Sequence, residues 1–394
     1  MKRMTAAVAF MAVFTLAVCF IMIGSVSEEL KARLGIGNAE IGSLILALSL
    51  TSIIVQVIVG PLIDRFGHKP VAVTGFLVSS GSVFLLAFAP DFRWALFASV
   101  LLGIGAICCN SVGNTLLPVV LFDGKEPARA SNFGNGFVGL AFVLTPLLIV
   151  TLINDFGLSY PVTVSCLAVL VFSFSAFALL SSYPLVSTGF RLSKAVRLLR
   201  EPAVLLAALA LICYIGLEFT MNGWIKPLMT ELLGGPSADN AVRDAGRTLA
   251  LFGLAMAIGR FITSTFKNLT QIGPGLIAGL ALVSVVLIVV LSGTGSPWIA
   301  ALAVLLVGFA FAPMFPTIVG VTFAKVHPSL YGSVFGIIFS VGLLGPMVLP
   351  KLIGDASEGG SVQQSLRMAA AFAAVLVVVA VAIGRTGKGR VARK

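Results

Sequence analysis

Along this chain, long apolar runs alternate with short polar breaks. Each run is about 20 residues or longer, enough for a helix to cross a bilayer. The pattern predicts helices over about 5–26, 38–60, 70–89, 94–121, 129–153 and 160–182. After a basic stretch come about 203–233, 247–266, 273–293, 298–324, 331–351 and 363–384. Twelve spans result, six on either side of the break. The expected fold is therefore an all-α polytopic membrane protein, with twelve transmembrane helices as two six-helix bundles. The domains predicted are 1–182, a basic linker 183–202, a second bundle 203–384, and a basic tail 385–394. Equal halves of six spans suggest a duplicated transporter with its binding site at the repeat interface. Lys2 and Arg3 before the first run mimic a secretory signal, but the run reaches about Ser25, long for a signal core. It is read as the first transmembrane helix.

Composition agrees and excludes other classes. Of the 394 residues, 58% are hydrophobic and only 10% charged, against about 25% charged in soluble domains. A soluble enzyme, a disordered chain and a nucleic-acid binder are excluded. The net charge is +11, and its distribution matters more than its size. With both termini on the cytoplasmic side, 18 of the 26 Lys and Arg fall on that side. Basic residues concentrate in cytoplasmic loops, so the count predicts the orientation. The expected location is a bacterial plasma (inner) membrane. The segment 191–200, RLSKAVRLLR, is basic and amphipathic. It reads as an interfacial linker helix, with a regulatory site as the alternative.

Little in the chain suits catalysis or metal. The histidines are His68 and His327, both in predicted loops. Cys19, Cys108, Cys109, Cys166 and Cys213 lack metal-ligand spacing and read as small buried hydrophobes. No metal, no cofactor and no enzyme activity are expected. No phosphate-binding Gly-x-x-x-x-Gly-Lys sequence is present, so an internal ATP motor is not expected.

The strongest local signal is Gly60-Pro61-Leu62-Ile63-Asp64-Arg65-Phe66-Gly67-His68-Lys69, between spans two and three. Gly60 permits close helix approach, and Asp64 suits a positive helix N-terminus. The decamer resembles the G-x-x-x-D-R-x-G-R-[KR] signature of the major facilitator superfamily, with His68 where Arg is usual. The resemblance implies the major facilitator fold. It also implies a cytoplasmic lock formed by Gly60, Asp64, Arg65, Gly67 and Lys69, with Asp64 near the start of span eleven around Tyr331 and Gly332. A degenerate counterpart, Gly259-Arg260-Phe261, ends span eight and adds Arg260 to that gate. Gly103, Gly105, Asn110 and Asn114 in span four resemble, more loosely, the fucose–glucose–galactose permease branch, a group of sugar:proton symporters. Asn110 stands where that branch often has an acid.

The single acid well inside a span is Glu218. Buried charge in a span costs about 2.5–3.5 kcal/mol and marks function or a structural partner. Glu218 is expected to carry protons, with structural hydrogen bonding as the alternative. Asn222 and Lys226 follow at i+4 and i+8, one face of the helix. Trp224 can stack on a sugar. Gln56, Asn110, Asn114, Asn132 and Asn135 offer both donors and acceptors, which suits polyhydroxy solutes. Helix–helix hydrogen bonding, worth about 0.6–2 kcal/mol each, is the other reading. The expected substrate set is these five amides with Asn222, Trp224 and Lys226; for Lys226, snorkelling to the surface is the alternative. The function expected is a secondary active transporter of a small polar solute, most simply a sugar, by alternating access with proton coupling. A drug or metabolite exporter, or transport of an anionic solute on Lys226 with Arg260, are the alternatives. Partners would be the solute, protons or another coupling ion and the lipid bilayer, with no nucleic acid and a monomeric chain.

Overall fold

A computed structural model describes residues 2–184, 200–235, 238, 241–357 and 360–386. Residues 191–199 of the amphipathic segment and 387–394 of the basic tail lie outside the described residues. Among the described residues there is no strand, and twelve helical stretches are long and apolar enough to cross a membrane.

The chain forms two compact units. The first contains 1–124, 137–195 and 328–336. Its helices are α1 (Lys2–Ser25), α2 (Ser27–Leu34), α3 (Asn38–Phe66), α4 (His68–Phe88), α5 (Phe92–Val120), the larger part of α6 (Pro127–Val150), and α7 (Tyr160–Leu180). The second contains 125–136, 196–327 and 337–394. It holds the first turns of α6, then α8 (Pro202–Leu232), α9 (Ala241–Thr263), α10 (Leu269–Gly293), α11 (Pro297–Phe311) and α12 (Met314–Phe323). After α13 (Tyr331–Gly342), which begins in the first unit, come α14 (Leu344–Ser357), α15 (Val362–Ser365) and α16 (Arg367–Arg385).

In the first unit α5 is the central helix, packed on α1, α3 and α4. Asp91 starts it, its Oδ1 accepting from the Arg93 and Trp94 amides at 2.9 and 3.1 Å. Those amides lack intrahelical acceptors, so this is a side-chain N-cap. A Cβ at Gly105 would strike Ser79 of α4, and one at Gly113 would strike Val13 of α1. Small residues thus let three helices crowd one axis. In the second unit α8 has the equivalent role, touching α9, α11, α12, α14, α15 and α16.

The observed elements depart from the sequence pattern in three places, and one cysteine differs in burial. The second span does not stop at residue 60: α3 runs through Pro61 to Phe66, and only Gly67 separates it from α4. Gly67 has φ 84°, a conformation glycine adopts without steric cost. His68 is therefore not a loop residue but opens α4. The tenth span breaks at Ala312-Pro313 and the eleventh at Leu343. Cys166 is exposed on α7, unlike the other four cysteines.

Candidate functional site

The second unit holds an ion pair inside its helices. Glu218 lies within α8 and Arg260 near the end of α9, and Arg260 Nη2 meets Glu218 Oε1 at 3.3 Å. The Arg260 side chain is 6% exposed and that of Glu218 21%. Arg260 also donates through Nη1 to the Asn135 carbonyl at 3.3 Å and through Nε to the Ala312 carbonyl at 3.1 Å. The second acceptor has a covalent cause. Pro316, four residues on, has no N–H, so the Ala312 carbonyl lacks its helical donor. The break after α11 thus leaves an acceptor that the guanidinium fills. The Tyr214 hydroxyl is buried beside both charges, one turn before Glu218, and short of a full hydrogen bond.

Arg260 was expected at the end of span eight, as part of the gate. The structure places it in that membrane-length helix and buries it at 5%. Its only charged partner among the described residues is Glu218. Sequence reasoning missed this pairing. The signal was present as a second charge near the end of a span, but 42 positions separate the partners.

Around the pair, the first turns of α6 pack on α9 and α12. Asn132 Nδ2 donates to Thr317 Oγ1 and to the Ala128 carbonyl, both at 2.9 Å. Asn135 Nδ2 donates to the Ser131 carbonyl at 2.9 Å. Phe133 packs edge-on against Phe261. Asn132 Oδ1 is buried without a hydrogen-bond partner.

On α8, the face with Glu218 continues outward. Asn222 is exposed, and its Nδ2 donates to the Glu218 backbone carbonyl at 2.8 Å rather than to the carboxylate. Lys226 is exposed, without an ion pair among the described residues. Trp224 turns away from that face. Its Nε1 donates to the Pro350 carbonyl at 3.3 Å, and its ring lies near Gly354 of α14.

In the first unit the amides Gln56, Asn110 and Asn114 are buried. Asn110 and Asn114 are 1% and 0% exposed, and Asn114 Nδ2 donates to Asn110 Oδ1 at 2.8 Å. Gln56 Nε2 donates to Ser111 Oγ at 3.2 Å. His68 Nε2 and Thr115 Oγ1 are 3.1 Å apart. Asn110 Nδ2 and Gln56 Oε1 are buried with no partner. These amides are thus closed off from solvent here, and Gln56 and Asn110 leave part of their hydrogen-bonding capacity unused.

The signature decamer is helical and its acid is engaged. Asp64 Oδ1 accepts from the Gly332 amide at 2.9 Å and Oδ2 from the Ser333 amide at 2.7 Å. Both are orphan donors in the first turn of α13, where negative charge is favoured. This is the neighbourhood expected for Asp64. Gly60 makes it possible, since a Cβ there would overlap the Gly332 carbonyl. Arg65 and Lys69 are exposed. Among the described residues, no group of three or more His, Cys, Asp or Glu is placed to hold a metal ion.

Comparison with known proteins agrees with this architecture. Residues 7–350 match the Major Facilitator Superfamily. The chain belongs to that superfamily. Its fold is similar to the Escherichia coli fucose:proton symporter FucP, with TM-score 0.78 at 17% identity, over 96% of this chain and 98% of that one. A FucP structure in the outward conformation gives 0.80 at the same identity and coverage. The human organic anion transporter MFSD10 gives 0.72 at 17% identity, over 96% of this chain and 99% of that one. A sequence relative, the chromaffin granule amine transporter of Rattus norvegicus, is 29% identical over 107 residues. That match spans 27% of this chain and 20% of the relative. As a member of the superfamily with twelve membrane-length helices among its described residues, the chain is an integral membrane protein of a transporter family.

Proposed function

We propose that this chain moves a small polar solute, most simply a sugar, by alternating access, with proton coupling through Glu218. The observation that carries the reading is the Glu218–Arg260 pair within membrane-length helices. A carboxylate that neutralises a buried guanidinium cannot take a proton without consequence. Protonation leaves Arg260 as an unpaired charge in a poorly solvated place, which is costly. The guanidinium then favours a state in which another acceptor reaches it. A solute hydroxyl or carbonyl serves, so proton and solute occupancy become linked. The greater exposure of Glu218 supports its role as the group that water reaches.

Asn222 and Lys226 would extend the polar face of α8 toward the solute, with Trp224 on a neighbouring face, bonded to the Pro350 carbonyl. Asn132 and Asn135 border the pair through α6. Gln56, Asn110 and Asn114 would join the binding surface in a state that opens the first unit. Asp64 on the α13 N-terminus, with Gly60, Arg65, Gly67 and Lys69, would act as the cytoplasmic lock. Both termini would then be cytoplasmic, in a bacterial inner membrane, with 1–182 and 203–384 as the moving bundles of a monomer.

Purified protein in liposomes, given a panel of monosaccharides under an inward proton gradient, tests the substrate class. Accumulation of at least one sugar that collapses with a protonophore is expected. No sugar uptake, with efflux of lipophilic cations instead, would favour a proton-driven exporter. The partial similarity to the rat amine transporter favours that second reading.

A further inference from the structure

Outside the ion pair, the first unit carries an apolar groove of about 190 Å³ on α3, α4 and α5. Val59, Leu62 and Phe66 line one side, Pro70 and Val71 the other, and Cys108 the floor. Leu62 and Phe66 are 37% and 57% exposed on a membrane-length helix, so the groove opens outward. Two exposed cations neighbour its lining in the chain: Arg65 directly precedes Phe66, and Lys69 directly precedes Pro70. Arg65 lies over Phe66, its guanidinium carbon 5.0 Å from the centre of the ring. Among the described residues neither cation has an acid partner. The adjacent acid, Asp64, is turned away to the Gly332 and Ser333 amides.

We infer that this groove is a site for one anionic phospholipid. The acyl chain occupies the groove, and the headgroup phosphate sits on Arg65 and Lys69. The argument is complementarity on both ends of the ligand. Apart from Thr74 the lining is apolar, and the volume admits a length of acyl chain but no headgroup. The neighbouring positions offer two cations with no carboxylate to satisfy them. A basic pocket between membrane helices, at the depth where a helix meets the interface, is suited to lipid phosphate. The phosphate would accept from the Arg65 guanidinium, and its charge would offset both cations. The site rests on the chain's place in the bilayer and is independent of the transported solute. It also places a lipid one residue from Asp64, so occupancy would bear on the α3–α13 contact.

Phe66→Trp places a reporter in the groove while keeping an aromatic face for Arg65. The full chain is placed in vesicles of bromine-labelled phosphatidylglycerol or bromine-labelled phosphatidylcholine. The quenching of the added emission, relative to the unsubstituted chain, gives relative lipid affinity at that position. Phosphatidylglycerol is expected to bind at least about fivefold more tightly, the effect of one surface cation. Adding Arg65→Gln and Lys69→Gln should bring the ratio close to one. Equal quenching by the two lipids in Phe66→Trp alone would overturn the site. So would a preference that survives loss of both cations. If the triple variant fails to fold, salt titration of Phe66→Trp decides. The preference must fall as salt rises, since exposed charge contacts are screened; a salt-independent ratio also overturns the proposal.

Discussion

At the residue scale, Arg260 has the most demanding position in the chain. It is nearly buried, and three acceptors from three helices hold it: the Asn135 carbonyl on α6, the Ala312 carbonyl at the end of α11, and Glu218 on α8. Removing one member of a buried pair leaves the other uncompensated, at a cost of about 3–5 kcal/mol. Arg260→Ala should therefore destabilise the protein by about 3 kcal/mol, the lower end of that range, because Glu218 retains 21% exposure. Glu218→Gln should cost less, since the amide oxygen still accepts from Nη2. The double variant Glu218→Gln/Arg260→Gln should cost less than the two single costs summed. Thermal unfolding in detergent checks all three. Strict additivity would mean that the pair contributes nothing as a pair. The sequence made Glu218 conspicuous as an acid inside a span. It did not reveal Arg260 as its partner, because a basic residue near a span end reads as a loop residue until the helix packing is seen.

At the element scale, the positions of the breaks shape the site. Span twelve-fold periodicity was readable from hydropathy, since each run had to cover a bilayer's thickness. The interruptions inside spans were less readable. Pro313 and Pro316 were visible, but prolines are common in membrane helices. Their consequence depended on which carbonyl was freed and what lay beside it. Here Pro316 frees the Ala312 carbonyl and Arg260 Nε takes it. Pro316→Ala would restore an N–H that competes for that carbonyl. The cost of Arg260→Ala in the Pro316→Ala background should then be smaller than in the unsubstituted chain. The expected coupling is about 1 kcal/mol, the net worth of one hydrogen bond. Unfolding measurements on the four proteins of this cycle give the coupling directly, and a value of zero would show that Arg260 draws nothing from the break. The decamer at 60–69 was legible in a different way. Its acid was expected near Tyr331 and Gly332, and Asp64 caps α13 at Gly332 and Ser333. What hydropathy hid was that this segment is helical almost throughout, with the turn compressed into Gly67.

At the scale of the whole molecule, scarcity of charge organises the account. Only 10% of residues are charged, so each charge inside a membrane-length helix requires a partner or a purpose. Asp64 has the α13 amides, Arg260 has Glu218 and two carbonyls, and Lys226 faces outward from α8. The buried amides Gln56, Asn110 and Asn114 were read from sequence as solute ligands or helix glue. In this structure they bond mainly to one another and to α5. Sequence could not separate those uses, because the same amide serves both and only its surroundings differ between transport states. The central claim is that Glu218 links proton movement to solute movement. The measurement closest to it is solute accumulation against its gradient in proteoliposomes with an imposed proton gradient, comparing wild type with Glu218→Gln. Accumulation driven by the proton gradient in wild type, with only downhill exchange left in Glu218→Gln, is the expected result. Equal gradient-driven accumulation by the two proteins would contradict it.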